Sequence, residues 1–372
     1  MKYQLVVLFA IMLVLPVLND IFHVVGFGRV DENRSFKTTL ELNLQRLDDF
    51  PEDADAYVND NFAFRGPFLE VFHRTKYTVF GVSPSPDKTI VGKEGYFFNA
   101  GKDLDIYLGK LDLSEEQLSA FSNEWQQRSA YFDSLGITCY WLVPPLKHNV
   151  YPDFLPNSVV RRKTPTRVQV LKDHFSDEFP SLIIDPSAAF QHQRSKTKLY
   201  YTLDNHWTYM GGEIAYELLL NEIKDDFPTK NIPLKTNPNW ESNVNRKGIH
   251  RRVMGVPELE ELEFVPDFEN ATAVEVEKYG FEPPLAFAYP EKFEFRYINP
   301  SIEKGSGLRA LIVRDSFGKQ MIPFLSQSFE ESLFIFDGWQ FKADREIIET
   351  MQPDIIIYVS VESLLEEFII KR

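Results

Sequence analysis

Cysteine is nearly absent: Cys139 is the one thiol in 372 residues. That excludes an intrachain disulfide and any metal site built on several cysteines, and it says nothing decisive about compartment. Histidine is sparse too, at seven. Positive charge is in short supply, with 40 Lys and Arg against 55 Asp and Glu and a formal net charge of −15. Phosphate affinity comes from clustered Lys and Arg, so this balance argues against a nucleic-acid partner. The small basic clusters at Arg161-Arg162-Lys163 and from Lys247 to Arg252 read as solvated faces. The chain has no Walker loop, no G-x-G-x-x-G after a strand, no H-E-x-x-H and no calcium loop. No cofactor and no metal are expected. No internal repeat or low-complexity tract is evident.

Apolar residues, by contrast, are plentiful. At 44% hydrophobic and 14% aromatic, the chain can bury a core sufficient for one large domain or two modest ones. One apolar run stands out, from Leu5 to Leu18 in "MKYQLVVLFAIMLVLPVLND". Its fourteen residues match a signal-peptide core and fall short of the roughly 20 of an unstrained membrane span. No small-x-small cleavage site follows, and apolar residues resume at "IFHVVGF". Residues 1–26 are read as an uncleaved signal anchor, with a cleaved signal peptide or a buried soluble helix as the alternatives. Either membrane-targeting reading places the bulk of the chain outside the cytoplasm.

The rest divides by pattern. Residues 27–100 are polar, aromatic and turn-rich, and are read as an N-terminal extension packing on a main domain at 101–372. Within them, Gly92 and Gly95 flank the turn of a short hairpin. Beyond residue 101, helices and strands alternate. Ser114 and Gln117 form a capping box that opens a helix to Ser134. "ITCYWLV", "SLIID", "LRALIV", "SLFIF" and "DIIIYVS" read as buried strands, with helices near 165–176, near 209–224, after "LRALIV" and from about Ala343. Apolar strands separated by helices imply an α/β fold: a mostly parallel sheet with helices on both faces. The Pro-, Asn- and Glu-rich stretch at about 225–305 reads as an insertion with irregular or antiparallel structure.

The chemistry is sought at the carboxyl ends of the strands, where open α/β sheets bind ligands. "RDSFG" puts Ser316 where the strand "LRALIV" ends and a helix begins, with backbone N–H groups nearby to cradle an oxyanion and Gly318 keeping the turn free of a side chain. "TLDNHWTYMGG" supplies Asp204 and His206. Taken alone, each motif has a bland reading: Asp315 or Ser316 caps a helix, and Asp204-x-His206 is a polar loop. Together they form the parts of a Ser-His-Asp triad, which is recognised by geometry and not by chain order. Lys147 follows the strand ending at Val143 and belongs on the same rim, as a contact to substrate or oxyanion or as a structural residue. Trp207, Tyr209 and Tyr216 are candidates for stacking on a sugar, with helix packing the plainer role for Tyr216.

The motifs "LDNHWTYMGGEIAY" and "RDSFG" resemble the D-x-H-W and D-S-F motifs of the AlgX/AlgJ-type alginate O-acetyltransferases. The resemblance extends to "DENR", "DNFAFR", "FGVSP" with "VGKEGYFF", and "VPPLKHNVYPDFLP". It implies a circularly permuted SGNH-hydrolase-like domain with Ser316, His206 and Asp204 as the triad. It also implies acetyl transfer to an extracytoplasmic polysaccharide through an acyl-serine, with a membrane-embedded acyltransferase as donor and the chain anchored to the inner membrane on the periplasmic side. A polysaccharide acetylesterase with the same triad and a non-catalytic exopolysaccharide assembly protein are the alternatives. The chain departs from the family's pattern in having Arg314 where His is frequent before Asp-Ser, and Ser363 after Glu362 where Arg is common. No carbohydrate-binding module is apparent at the C-terminus, which fits the anchored AlgJ form better than the two-domain AlgX form. A charge of −15 sits poorly with a polyanionic polymer and leaves a neutral one at least as well placed.

Overall fold

The computed structural model describes residues 2–22, 36–41, 47–62, 64–161, 165–245, 248–256, 259–284, 287, 292–342 and 344–369. The "DENR" stretch 31–34, with Arg162, Lys163, Lys247 and Ala343, lies outside them. The chain divides into two compact units, Met1–Val91 with Arg246–Glu260, and Gly92–Asn245 with Glu261–Arg372. The first unit thus ends at Val91, and residues 246–260 fall with it.

The first unit holds α1 (Lys2–Phe22), α2 (Phe50–Asn61), α3 (Arg65–Phe80), the short strand β1 (Thr89–Val91) and, much later in the chain, α10 (Ile249–Met254). Pro51, Glu52 and Asp53 open α2, a fixed φ and two carboxylates at the positive end of the helix dipole. Gly81 ends α3 in the left-handed conformation, at φ 64°. Two side-chain contacts fasten α10: His250 Nδ1 lies 3.0 Å from Thr89 Oγ1, and Met254 Sδ lies 3.4 Å from Ser83 Oγ. Among the described residues no helix is long and apolar enough to cross a membrane. The apolar run within α1 rises only about 21 Å at 1.5 Å per residue.

The second unit carries the remaining strands: β2 (Phe97–Asn99), β3 (Thr138–Leu142), β4 (Ile183–Ile184), β5 (Asn239–Asn245), β6 (Glu261–Asp267), β7 (Val274–Glu275), β8 (Glu294–Ile298), β9 (Arg309–Arg314), β10 (Glu331–Phe336) and β11 (Ile355–Val359). Seven of them form one sheet in the order β4-β3-β11-β9-β10-β8-β7. From β4 to β10 every pair is parallel. The β10–β8 and β8–β7 pairs are antiparallel, so the sheet is mixed. Its antiparallel edge comes from the Pro- and Glu-rich segment, which also supplies the separate antiparallel ribbon β5–β6.

Helices lie on both faces of that sheet, and the unit holds α4 (Lys102–Tyr107), α5 (Glu115–Ser134), α6 (Lys147–Val150), α7 (Arg167–Phe175), α8 (Ser187–Gln193), α9 (Tyr209–Asp226), α11 (Ile322–Ser328) and α12 (Arg345–Met351). The expected capping box of Ser114 and Gln117 opens α5. On one face Trp141, Leu311, Val313, Leu333, Ile356 and Tyr358 pack with residues of α5, α7 and α12. Trp125 stacks on Trp141 there, ring centroids 5.2 Å apart. Burying each such ring contributes roughly 1.5–3 kcal/mol. On the other face α9 lies against β3, and Tyr140 donates to Asp226 at its end (2.7 Å). The inner strands β9 and β11 are buried almost throughout, as parallel strands covered on both sides must be. Their carboxyl ends, with those of β3 and β4, form the rim that carries the site.

Candidate active site

The turn that carries Ser316, the candidate nucleophile, starts where β9 runs out. Asp315 sits in extended backbone at φ −87° and ψ −164°, and a 3₁₀ turn, Ser316–Met321, follows before α11. Asp315 is buried, and its carboxylate accepts from Phe317 N–H (2.8 Å) and, across the rim, from Val361 N–H (2.8 Å). Burial pushes this carboxyl up to about 6, with the two amides, His206 and Arg314 pulling the other way. Asp315 is therefore a helix cap and also a strut between the ends of β9 and β11. Ser316 is exposed at the head of the turn. Its N–H has no acceptor among the described residues. Gly318 has a steric reason: a Cβ there would lie 2.6 Å from Arg314 Cβ and Cδ.

His206, the candidate base, comes from a loop before α9. Tyr201 N–H donates to His206 O (3.1 Å), which closes the loop, and Asp204 lies near its tip. Asp204 Oδ1 accepts from His206 N–H (2.9 Å) and lies 2.5 Å from His206 Nδ1. With Nδ1–H given to the carboxylate, Nε2 is left to accept from Ser316 Oγ–H, 2.7 Å away. Burial works against the charged imidazole, but Asp204 and Asp315 outweigh both burial and Lys319, so the His206 pKa is raised above its ordinary value. Phe317 packs against the His206 ring, centroids 4.7 Å apart. A hydroxyl, an imidazole and a carboxylate in one hydrogen-bonded line can generate a serine nucleophile and hold its proton.

The other candidate residues are placed differently. Lys147 is 1% exposed, and its ammonium donates to the carbonyls of Phe97, Tyr201, Thr202 and Asp204, so it does not face a substrate. Burial pushes it down to about 7, with Glu261 and Asp204 opposing that shift and Lys198 adding to it. Trp207 is fully buried, and its indole donates to Phe317 O (2.8 Å), which ties the base loop to the nucleophile turn. No face of it is open to a sugar. Arg314 is buried beneath the turn, donates to Asp315 O (3.1 Å) and lies over the Phe336 ring. Tyr209 is buried at the start of α9, where burial and Glu263 push its hydroxyl up to about 12. Tyr216 is a core residue, bonded to Ser328 (2.7 Å). Two participants were missed in the sequence. Glu261 accepts from the Thr202 and Leu203 amides, and Asp315 does more than cap. Only Asp315 had a sequence cue. Among the described residues no group of His, Cys, Asp and Glu is placed to hold a metal.

A family model described as "SGNH hydrolase-like domain, acetyltransferase AlgX" matches residues 89–279, more than half of the chain. The matched stretch includes Lys147, Asp204 and His206 and ends before Ser316. No curated protein matches. Several solved structures are similar. PatB1 from Bacillus cereus is 16% identical with a TM-score of 0.48, over 73% of this chain and 94% of that one. The O-acetyltransferase domain of AlgJ from Pseudomonas putida is 11% identical with a TM-score of 0.45, over 74% and 91%. AlgX from Pseudomonas aeruginosa is 13% identical with a TM-score of 0.47, over 75% and 62%.

Proposed function

The chain belongs to the AlgX family of SGNH hydrolase-like acetyltransferases, and from that premise we propose that it acetylates hydroxyls of a polysaccharide through an acetyl-Ser316 intermediate. The observation that carries the mechanism is the unbroken hydrogen-bonded line Asp204–His206–Ser316. His206 Nε2 takes the Ser316 proton as Oγ attacks the donor's acetyl carbonyl, and the same proton then goes to the departing group. Asp204 holds the tautomer and steadies the imidazolium. The unengaged Ser316 N–H supports the oxyanion. In the second half a sugar hydroxyl replaces the donor: His206 removes its proton, its oxygen attacks the acetyl carbon, and the ester bond to Ser316 breaks as His206 returns the proton to Ser316 Oγ, which restores the free hydroxyl.

The bulk of the protein is proposed to work in the periplasm, held at the inner membrane by α1, with a membrane-embedded acyltransferase as donor. Support comes from α1 itself, where Leu5, Val6, Val7, Phe9, Ile11, Val14 and Leu18 are all exposed. A helix apolar on every side calls for lipid or a protein partner. The helix itself continues past the apolar run, through Asn19 and Asp20 to Phe22. The net charge of −15 favours a neutral polymer as acceptor.

Two experiments test this reading. With p-nitrophenyl acetate as donor and a neutral oligosaccharide as acceptor, acetylated sugar should appear at the expense of free acetate. Acetate alone would identify an esterase, and folded protein inert to the ester would leave the assembly role. Fractionation should place the full-length chain with membranes, open to protease from the outer side. A soluble product starting near Asn19 would show a cleaved signal instead.

A further inference from the structure

The Tyr201–Asp204 segment has an unusual backbone. Two successive peptide groups send their oxygens the same way, so Tyr201 O and Thr202 O both lie beside Lys147 Nζ, at 2.7 and 3.1 Å. Asp204 O joins them at 3.0 Å and Phe97 O, from β2, at 2.6 Å. The N–H groups of those same two peptides point the other way, onto one carboxylate. Thr202 N–H meets Glu261 Oε2 at 2.7 Å and Leu203 N–H meets Oε1 at 3.0 Å. Converging amides form an anion-binding nest, and converging carbonyls repel one another unless a cation lies between them. Lys147 and Glu261 therefore grip the two peptide groups at opposite poles. Lys198 Nζ, 2.8 Å from Glu261 Oε2, steadies the acidic side. Neither gripping side chain has a hydrogen bond to Ser316 or to the His206 ring.

We infer that Lys147 and Glu261 are positioning residues for acyl transfer: a buried two-sided clamp that fixes the Asp204 loop and, through it, sets His206 against Ser316. The inference rests on the triad reading given above. His206 and Asp204 sit on a bend whose parallel dipoles do not hold one another, so the clamp supplies the rigidity that packing supplies elsewhere. A base displaced by about 1 Å costs up to about 100-fold in rate. The loss falls on the chemical step, because the clamp lies behind the loop and not on the substrate side.

The test is steady-state hydrolysis of p-nitrophenyl acetate by wild-type protein, Lys147→Met, Glu261→Gln and their double mutant, with Ser316→Ala alongside. Each single variant should lose about 10–100-fold in kcat with KM within about twofold. The double mutant should be little worse than either single one, since both grip the same segment. The acid limb of kcat/KM should also move to lower pH. His206 faces Asp204, Asp315 and Lys319, and a slack loop weakens the Asp204 interaction that raises it. A merely structural role would leave that limb in place. Folded single variants with kcat within twofold of wild type and an unmoved acid limb overturn the clamp. If Lys147→Met does not fold, Glu261→Gln decides, since it keeps the side chain's volume and one acceptor. Activity retained in Ser316→Ala would overturn the triad reading itself. Its loss beside an unaffected Lys147→Met would overturn the clamp alone.

Discussion

The nucleophile turn and the base loop meet within one hydrogen bond, yet they are held by different physics. The turn at 314–318 is shaped by its own neighbours in sequence: Asp315 caps Phe317 N–H, and Gly318 admits the Arg314 side chain. It is then tied to the rim by Val361 N–H on Asp315 and by the Trp207 indole on Phe317 O. The loop at 201–206 is fixed from far away, by Lys147 and Glu261, the latter 59 positions from Thr202. A nucleophile can be presented largely by local chain geometry, because only one hydroxyl is needed. A base has two nitrogens to satisfy at once, so its loop must be held in all directions. Burying a lysine and a carboxylate to do this carries a desolvation cost, visible in the lowered Lys147 pKa, which the backbone dipoles on either side work against.

The comparison breaks most sharply if the chemistry does not need both loops. Ser316→Ala and His206→Ala should each lower turnover of p-nitrophenyl acetate about a thousandfold or more, and the double mutant should be little worse, because the two act as one unit. Additive losses would separate the loops into independent contributors.

The next effect is a pH dependence set by the base loop. His206 must be neutral to accept the Ser316 proton, and its pKa is raised. kcat/KM should therefore be fully present above that raised value and fall about tenfold per pH unit below it. The midpoint of the acid limb should lie above the ordinary histidine value of about 6.5. A midpoint at or below that value would mean that Asp204 does not support the imidazole.

On the turn side, Asp315→Ala leaves the Phe317 and Val361 amides without their acceptor in buried surroundings. An unsatisfied buried group costs about 1–3 kcal/mol, so urea unfolding should show a loss of at least that size. Gly318→Ala is the smallest test. Its Cβ would press on Arg314 at 2.6 Å, an overpacking worth about 1–3 kcal/mol. Arg314 Cβ is fixed to the β9 backbone and cannot swing aside, so a loss within that range is expected in thermal unfolding. A stabilised Gly318→Ala protein would show that the turn has room the account denies it.

The sequence made one of these regions far more legible than the other. The strand ending at Arg314, the helical turn after it and the exposed position of Ser316 all follow from a continuous apolar run broken by Asp-Ser and Gly. The Asp204–His206 pair was also readable as a pair. What held it was not. Lys147 looks the same in sequence whether its ammonium meets substrate or four carbonyls, because the bend that gathers those carbonyls exists only after folding. Glu261 lies in the Pro- and Glu-rich stretch that carries no helix–strand rhythm, and it reaches the loop only through the β5–β6 ribbon. Trp207 was ambiguous for a related reason: an aromatic beside a base serves equally well as a sugar platform or as a prop, and its full burial decides for the prop.

On the proposed route acetyl passes through Ser316 on its way to a sugar. That route is tested most directly by reacting the folded protein with an acetyl ester, quenching in acid and mapping the modified peptide by mass spectrometry, with and without a neutral oligosaccharide. One acetyl group is expected on Ser316, disappearing when the oligosaccharide is added, with matching acetyl on the sugar. An acetyl group on another residue, or acetylated sugar formed at the wild-type rate by Ser316→Ala protein, would contradict it.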